Sequence, residues 1–344
     1  MRVLVTGGTG FTGSHSARAL LAAGHSVRLL VRDEAKLRRI YEPLGIEIRD
    51  FVVGDMTDPA AVEKALAGCD AVLHAAALVE MRRAGARGMQ ETNARGVDLV
   101  VGGAARRGLP SIAYVSSLSI FFVPGGPPIS PELPIAPGTT AYARSKASSE
   151  AFVRGLQEQG APVRISYPAG IIGPDDPGHP SMSDANHALY SFFRETGVDT
   201  SGYFQVVDVR DVAALHVRLL ELPEGAHRYA AAGEPLRWRE VYDLIDRLTG
   251  ERLRRIRVPG AVMRAAGSAG DVVKRVWDFS FPLTRDSMEF ATRWPGADAS
   301  RTQQELGLPF RSAEESYRDA LRWMHRAGHL SARQVGRIAG EDAR

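Results

Sequence analysis

Tyr142-Ala143-Arg144-Ser145-Lys146 places a phenol and an ammonium group four residues apart. In a helix that spacing stacks the two side chains on one face, a turn apart. A phenol has an ordinary pKa of about 10 and is a poor acid–base group at neutral pH unless a fixed cation stabilises its anion. Lysine is scarce in this chain, whose 43 basic residues are nearly all arginine, so the pairing stands out. Ser116-Ser117-Leu118-Ser119 lies about one strand upstream. A serine there can hold a carbonyl or alcohol oxygen by hydrogen bond while Tyr142 transfers the proton. Ser117 suits that task, and Ser116 reads better as a polar cap of the strand.

The elements that must position these groups begin at residue 1. Met1–Thr6 reads as a short buried strand, Gly7-Gly8-Thr9-Gly10-Phe11-Thr12-Gly13 follows, and from Ser14 to Gly24 the apolar spacing is helical. Strand, glycine turn and helix form the context that binds a dinucleotide: a tight turn, close approach of backbone to pyrophosphate, and the positive end of a helix dipole. The oxidised nicotinamide ring of such a cofactor is a second cation beside Tyr142.

Further strands are expected at 26–31, 46–53, 70–74, 111–116 and 163–167, with helices at 59–66, 88–107 and 141–159 between them. This alternation predicts an α/β fold, a doubly wound parallel (Rossmann) sheet. Residues 120–140, rich in Pro and Gly, read as a long functional loop. Beyond Pro168 the pattern loosens into helical pieces, a smaller and mainly helical substrate-binding part. The expected division is 1–170 for the dinucleotide domain with 204–231 returning to it, 171–203 and 232–330 for the substrate part, and a frayed tail at 331–344.

Composition excludes several classes. At 344 residues, 44% hydrophobic and 24% charged, the chain has the make-up of an ordinary globular protein. A net charge of +3 with no basic run interleaved with aromatics argues against nucleic acid. Arg252–Arg257 alternates with Leu253 and Ile256 and reads as a half-exposed strand. One cysteine, Cys69, allows no disulfide framework and no thiolate metal site. No run of about eighteen apolar residues suggests a membrane span. A chain that opens on a core strand leaves no room for a leader, so a cytoplasmic protein is expected.

Taken together, several stretches resemble the extended short-chain dehydrogenase/reductases of the NAD-dependent epimerase/dehydratase superfamily. They are Thr6–Gly13, Gly54-Asp55-Met56-Thr57-Asp58, His74-Ala75-Ala76-Ala77, Asn93-Ala94-Arg95-Gly96, Ser116-Ser117, Tyr142–Lys146, Tyr167–Pro174 and Val207–Ala213. They run in family order over roughly residues 1–330. The resemblance implies Ser117, Tyr142 and Lys146 as the catalytic set. It implies Gly7, Gly10, Phe11, Thr12 and Gly13 at the pyrophosphate, Asp55 and Met56 at the adenine, Ala75 and Ala76 under the ribose, and Pro168 and Ile171 beside the nicotinamide. Tyr142 and Lys146 also reach the cofactor ribose. Asn93 is a weaker transfer that fits a brace for its own helix. No metal is implied.

The end of the second strand usually decides between the two dinucleotides, because a carboxylate there binds the 2′-hydroxyl of NAD and repels the 2′-phosphate of NADP. Here Val31 is followed by Arg32, with Lys36 a turn beyond. A guanidinium suits a phosphate, which favours NADP, with NAD as the alternative. Asp33 is the dissenting residue and is expected to cap the next helix. The arginine resembles the dihydroflavonol-reductase-like and cinnamoyl-CoA-reductase-like branch, which implies reversible hydride transfer to a ketone or aldehyde. The competing readings are a nucleotide-sugar epimerase or dehydratase, a hydroxysteroid-type dehydrogenase using NAD, and a non-catalytic dinucleotide sensor. Leu78, Met81, Phe121, Phe122, His179, Met182 and Tyr203 are candidate pocket residues, with Arg82 and Arg83 available to a diphosphate. The helices at 88–107 and 141–159 would form the family's usual homodimer face.

Overall fold

A computed structural model describes residues 1–79, 86–138, 140–178, 182–223, 225–273 and 283–343. In chain order the first half runs β1 (Arg2–Thr6), α1 (Phe11–Ala22), β2 (Ser26–Val31), α2 (Glu34–Tyr41), β3 (Phe51–Val53), α3 (Pro59–Leu66), β4 (Ala71–His74) and α4 (Ala86–Val97). A π turn at Asp98–Gly102 joins α4 to α5 (Gly103–Arg106); then come β5 (Ser111–Val115), α6 (Ala141–Glu158) and β6 (Val163–Pro168). The second half contains β7 (Gly170–Ile172), α7 (Asp184–Ser191), β8 (Gly197–Asp199), β9 (Tyr203–Asp208), α8 (Val209–Glu221), β10 (His227–Ala231) and β11 (Pro235–Arg237). It closes with α9 (Trp238–Thr249), β12 (Arg255–Arg257), α10 (Gly260–Val273), α11 (Arg285–Arg293), α12 (Ser300–Leu306), α13 (Ala313–Arg326) and α14 (Ala332–Val335).

Seven strands form one parallel sheet in the order β10-β6-β5-β4-β1-β2-β3. Both faces are covered, which is why its strands read as unbroken apolar runs. Leu4, Val72 and Ile112 pack on one side with Leu66, Val97, Val101 and Val153. Val3, Val5, Leu73 and Ala113 pack on the other with Ala17, Leu20, Leu37 and Val217. Chain order reverses between β1 and β4, and the crevice beyond the carboxyl ends of those strands is where ligands of such sheets bind.

A smaller second core gathers α7, α9 and α13 through Leu189, Phe192, Val241, Ile245, Leu321 and Met324. Two small sheets accompany it, β11-β9-β7 and β12-β8. β9 therefore belongs to the small sheet, whereas β10 joins the main one beside β6. The strand expected over 46–53 is reduced to Phe51–Val53, with the Asp50 side chain just before it bound to Arg2 and Arg28 at 2.6 and 2.8 Å. The frayed end expected after Ser331 is instead packed: Val335 and Ile338 are fully buried in the second core. No helix among the described residues is long and apolar enough to cross a membrane.

Candidate active site

The glycine turn is built by contacts that leave no room for side chains. Gly7 has φ +75°, and a Cβ on it would lie 2.8 Å from the Ala75 carbonyl carbon and the Ala76 nitrogen. A Cβ on Gly13 would collide with the Gly7 carbonyl. The Gly10 N–H donates to the Gly7 carbonyl at 2.8 Å, and α1 starts at Phe11 with no side-chain cap. The first N–H groups of that helix have no partner within the helix, so the turn and the N–H groups of Phe11, Thr12 and Gly13 fit a diphosphate.

Polar bonds fix the strand ends around the turn. Thr6 Oγ1 lies 2.8 Å from His74 Nδ1 and accepts the Ala76 N–H at 3.3 Å, which stitches β1 to the segment after β4. Tyr41 of α2 donates its hydroxyl to the Gly8 carbonyl at 2.7 Å. His216, fully buried on α8, sits 2.8 Å from Ser16 Oγ and 2.9 Å from Ser166 Oγ. Ser16 gives its proton to the Thr12 carbonyl, so Nδ1–H of His216 donates to Ser16 and Nε2 accepts from Ser166. Burial holds this imidazole neutral, with its pKa lowered to about 3. One histidine thus ties α1, α8 and β6 together.

Just past β2, Arg32 is exposed and has no hydrogen bond among the described residues. Asp33 is occupied as N-cap of α2, accepting the Lys36 N–H at 3.2 Å. Lys36 itself is half-buried in the first turn of that helix. Asp55 accepts the N–H and hydroxyl of Thr57 at 2.9 and 2.7 Å. Partial burial would raise its pKa, but those two bonds and the charge of Arg32 hold it below the usual carboxylate range. Met56 packs on α4, where a Cβ on Gly96 would come within 2.8 Å of its sulfur.

The phenol, the ammonium group and the serine meet at the carboxyl end of β5. Thr140 caps α6 by accepting the Ala143 N–H, which puts Tyr142 and Lys146 on its first two turns. Tyr142 is half-buried. Burial pushes its phenol up to about 12, a hydrogen bond with Ser117 pulls it down, and Asp184 of α7 adds a further rise. Ser117 caps the short turn after β5, with Oγ 2.9 Å from Ser119 Oγ. The neighbouring Ser116 hydroxyl is buried without a partner among the described residues. Lys146 is buried, donates to the Val115 carbonyl at 2.9 Å and lies 5.6 Å from the Tyr114 ring centre. Burial lowers its pKa to about 8, against a rise from Glu150.

A family model described as "NAD dependent epimerase/dehydratase family" matches residues 3–232. The chain belongs to this family. It is an extended short-chain dehydrogenase/reductase and an NAD(P)-dependent oxidoreductase. Sterol demethylase protein B of Methylococcus capsulatus is 28% identical over 96% of this chain and all of its own length. A putative dihydroflavonol 4-reductase of Synechocystis is 27% identical over 95% of each chain. Among solved structures, gox2253 superposes with a TM-score of 0.80 at 24% identity, covering 96% of this chain and 99% of its own.

Within this family member, Asn93 acts as a brace. It bonds both backbone groups of Leu78 at 2.7 and 3.0 Å and reaches Ser145 Oγ of α6 at 3.1 Å. Pro168 ends β6 in register with Ala231, and Ile171 packs partly on the cluster around Val207 and Val212. Ala75 and Ala76 lie against the turn, where a Cβ on Gly7 would meet their backbone.

Two pocket candidates belong to the core instead. Phe121 rests on Tyr167 at 5.0 Å, and Phe122 lies against Phe290 and Trp294 at 5.2 and 5.7 Å. Met182 and Tyr203 are half-buried, and Leu78 is exposed. Met81, Arg82, Arg83 and His179 lie outside the described residues. The sequence reading missed Glu150, one turn past Lys146 and fully buried. It accepts Tyr167 OH at 2.5 Å and Arg154 Nε at 3.0 Å. Only its i+4 spacing from Lys146 could have flagged it.

Proposed function

We propose that the chain is an NADP-dependent carbonyl reductase that carries out reversible reduction of a ketone or aldehyde through Ser117, Tyr142 and Lys146. The observation that carries the cofactor choice is the pair Arg32 and Asp33. The guanidinium is exposed where the 2′-phosphate would lie, and the nearby acid is engaged in capping α2. A guanidinium free to make charge-assisted bonds favours the phosphorylated dinucleotide.

Bound NADPH supplies the hydride. Ser117 Oγ holds the substrate oxygen, and Tyr142 delivers the proton to it. A phenol raised to about 12 in the free protein is fully protonated at neutral pH, which is the form a reductase needs as general acid. Lys146, fixed by the Val115 carbonyl, stabilises the phenolate left after transfer and holds the cofactor ribose. Glu150 helps keep that lysine charged, since it opposes the effect of burial.

A bulky apolar alcohol or ketone is the second reading of the substrate, favoured by the end-to-end similarity to a protein named sterol demethylase protein B. We place a homodimer contact on α4 and α6, where Phe152 remains 39% exposed.

Fluorescence titration with NADPH and NADH tests the cofactor, and NADPH oxidation against aromatic aldehydes, flavanonols, steroids and sugar nucleotides tests the substrate class. Tighter NADPH binding with turnover of a simple carbonyl or steroid ketone supports the proposal. Tight NADH binding with activity only on sugar nucleotides overturns it.

A further inference from the structure

We propose that the outward face of α10, together with the unpaired arginines that precede it, docks on the surface of an anionic lipid bilayer. α10 packs on α11. Its inner face is cut back to glycine: a Cβ on Gly267 would come within 2.6 Å of the Thr284 carbonyl oxygen, and one on Gly270 would strike that of Leu283. The residues left exposed are Ala261, Val262, Ala265, Ala266, Ala269, Val272 and Val273, every one of them apolar. Val262 and Val272 are 56% and 58% exposed. A 14-residue helix is about 21 Å long, so this is a continuous apolar stripe rather than a scatter of single side chains. Such stripes on a soluble surface mark interaction sites.

Charge identifies the occupant. Ile256, Arg257 and Pro259 lead into the stripe and are exposed, as are Arg252 and Arg254 just before them. Some exposed arginines are matched to acids, as in Arg38 with Glu34 and Arg301 with Glu305. Arg252, Arg254 and Arg257 form no ion pair among the described residues, whereas Arg255 turns inward to Asp243. Arg252 and Arg254 also line a cleft of about 300 Å³ with Arg194 and Arg333, opposed only by Glu195 and Glu251. An apolar helix face beside unmatched arginines is suited to the plane of an anionic bilayer, with valines in the acyl boundary and guanidinium groups at the phosphates. The absence of a long apolar span does not bear on a helix that lies in the interface. α11 carries Phe290 against Phe122, and its Asp286 is within electrostatic reach of Arg144 beside Tyr142. α10 thus packs on a helix that reaches toward the residues after β5 and the start of α6.

The test is co-sedimentation of the full chain with vesicles of phosphatidylcholine alone and of an equimolar mixture with phosphatidylglycerol, read without any enzyme assay. The protein should pellet with the mixed vesicles, pellet poorly with phosphatidylcholine, and be released by high salt. Val262→Glu/Val272→Glu and, separately, Arg254→Glu/Arg257→Glu should each lower binding about tenfold. Circular dichroism melting and NADPH binding should be unchanged, because all four side chains are exposed. Failure to pellet with mixed vesicles overturns the proposal, as does equal binding to both vesicle types or indifference to either variant. A dimer in sedimentation velocity that the valine variant breaks, without lipid binding, assigns the face to a second copy and overturns it too.

Discussion

The two walls of the crevice are built by different means. On the dinucleotide side, backbone and buried polar groups set the shape. Gly7 and Gly13 admit no side chain, Thr6–His74 joins β1 to β4, and Ser16–His216–Ser166 locks α1, α8 and β6 with short hydrogen bonds. On the other side, α10 packs on α11 through Gly267 and Gly270, and Phe290 of α11 and Trp294 close on Phe122. The first wall tolerates almost no change, because each group has a partner at a fixed distance. The second is held by hydrophobic packing, which is non-directional. A cradle held by directional bonds beside a wall held by non-directional packing lets one fold host different sites.

Breaking the first wall should have the largest effect on cofactor binding. Gly13→Ala drives a methyl group into the Gly7 carbonyl and should weaken NADPH binding by about a hundredfold or more, equivalent to roughly 3 kcal/mol, read by fluorescence titration. An unchanged affinity would mean the diphosphate lies elsewhere. Next, Phe122→Ala should destabilise the fold by about 3–5 kcal/mol as a core truncation, while KM for the carbonyl substrate stays within about twofold. A large KM change with unaltered melting would return Phe122 to the pocket.

Arg32→Ala sharpens the contrast within the cofactor wall. It should cost NADPH about tenfold to a hundredfold in affinity, the worth of a charge-assisted hydrogen bond, and leave NADH binding nearly unchanged. Equal losses for both would show that Arg32 supports the fold rather than the phosphate.

The remaining effects are in pH. The pKa of buried His216 falls from 6.5 in the unfolded chain to about 3 in the fold. A group lowered in this way contributes stability above the unfolded value, and that stability is lost as pH falls toward the folded one. His74, lowered to about 3 by burial and the Lys146 charge, and His15, lowered to about 4 by burial and Arg18, act in the same direction. Melting should therefore weaken below pH about 6.5, by up to roughly 1.4 kcal/mol per pH unit for each histidine. His216→Gln should flatten that acid slope. In activity, kcat/KM should fall above pH about 8 as Lys146 loses its proton.

The sheet was legible in the sequence because Val3–Val5, Ala71–Leu73 and Ile112–Val115 are covered on both faces and read as unbroken apolar runs. The capping of α2 by Asp33 was legible too, since capping is local chemistry. β7, β8 and β11 were not, because three residues are too few for any periodicity. Phe121 and Phe122 deceived for another reason: an apolar residue in a loop has the same signature whether it lines a cavity or fills a core. Glu150 and Asp184 were invisible because their significance comes from Tyr167, Arg154 and Tyr142 on other elements. The packing of Val335 and Ile338 depends likewise on α9 and α13.

The central claim is that the phenol of residue 142 moves the proton that accompanies hydride transfer. Single-turnover oxidation of NADPH by Tyr142→Phe, beside a fluorescence titration of the same variant, measures this directly. The expected result is a rate lower by about 10²–10⁴ with NADPH affinity within about threefold of the parent. A variant that turns over at the parental rate would contradict the account.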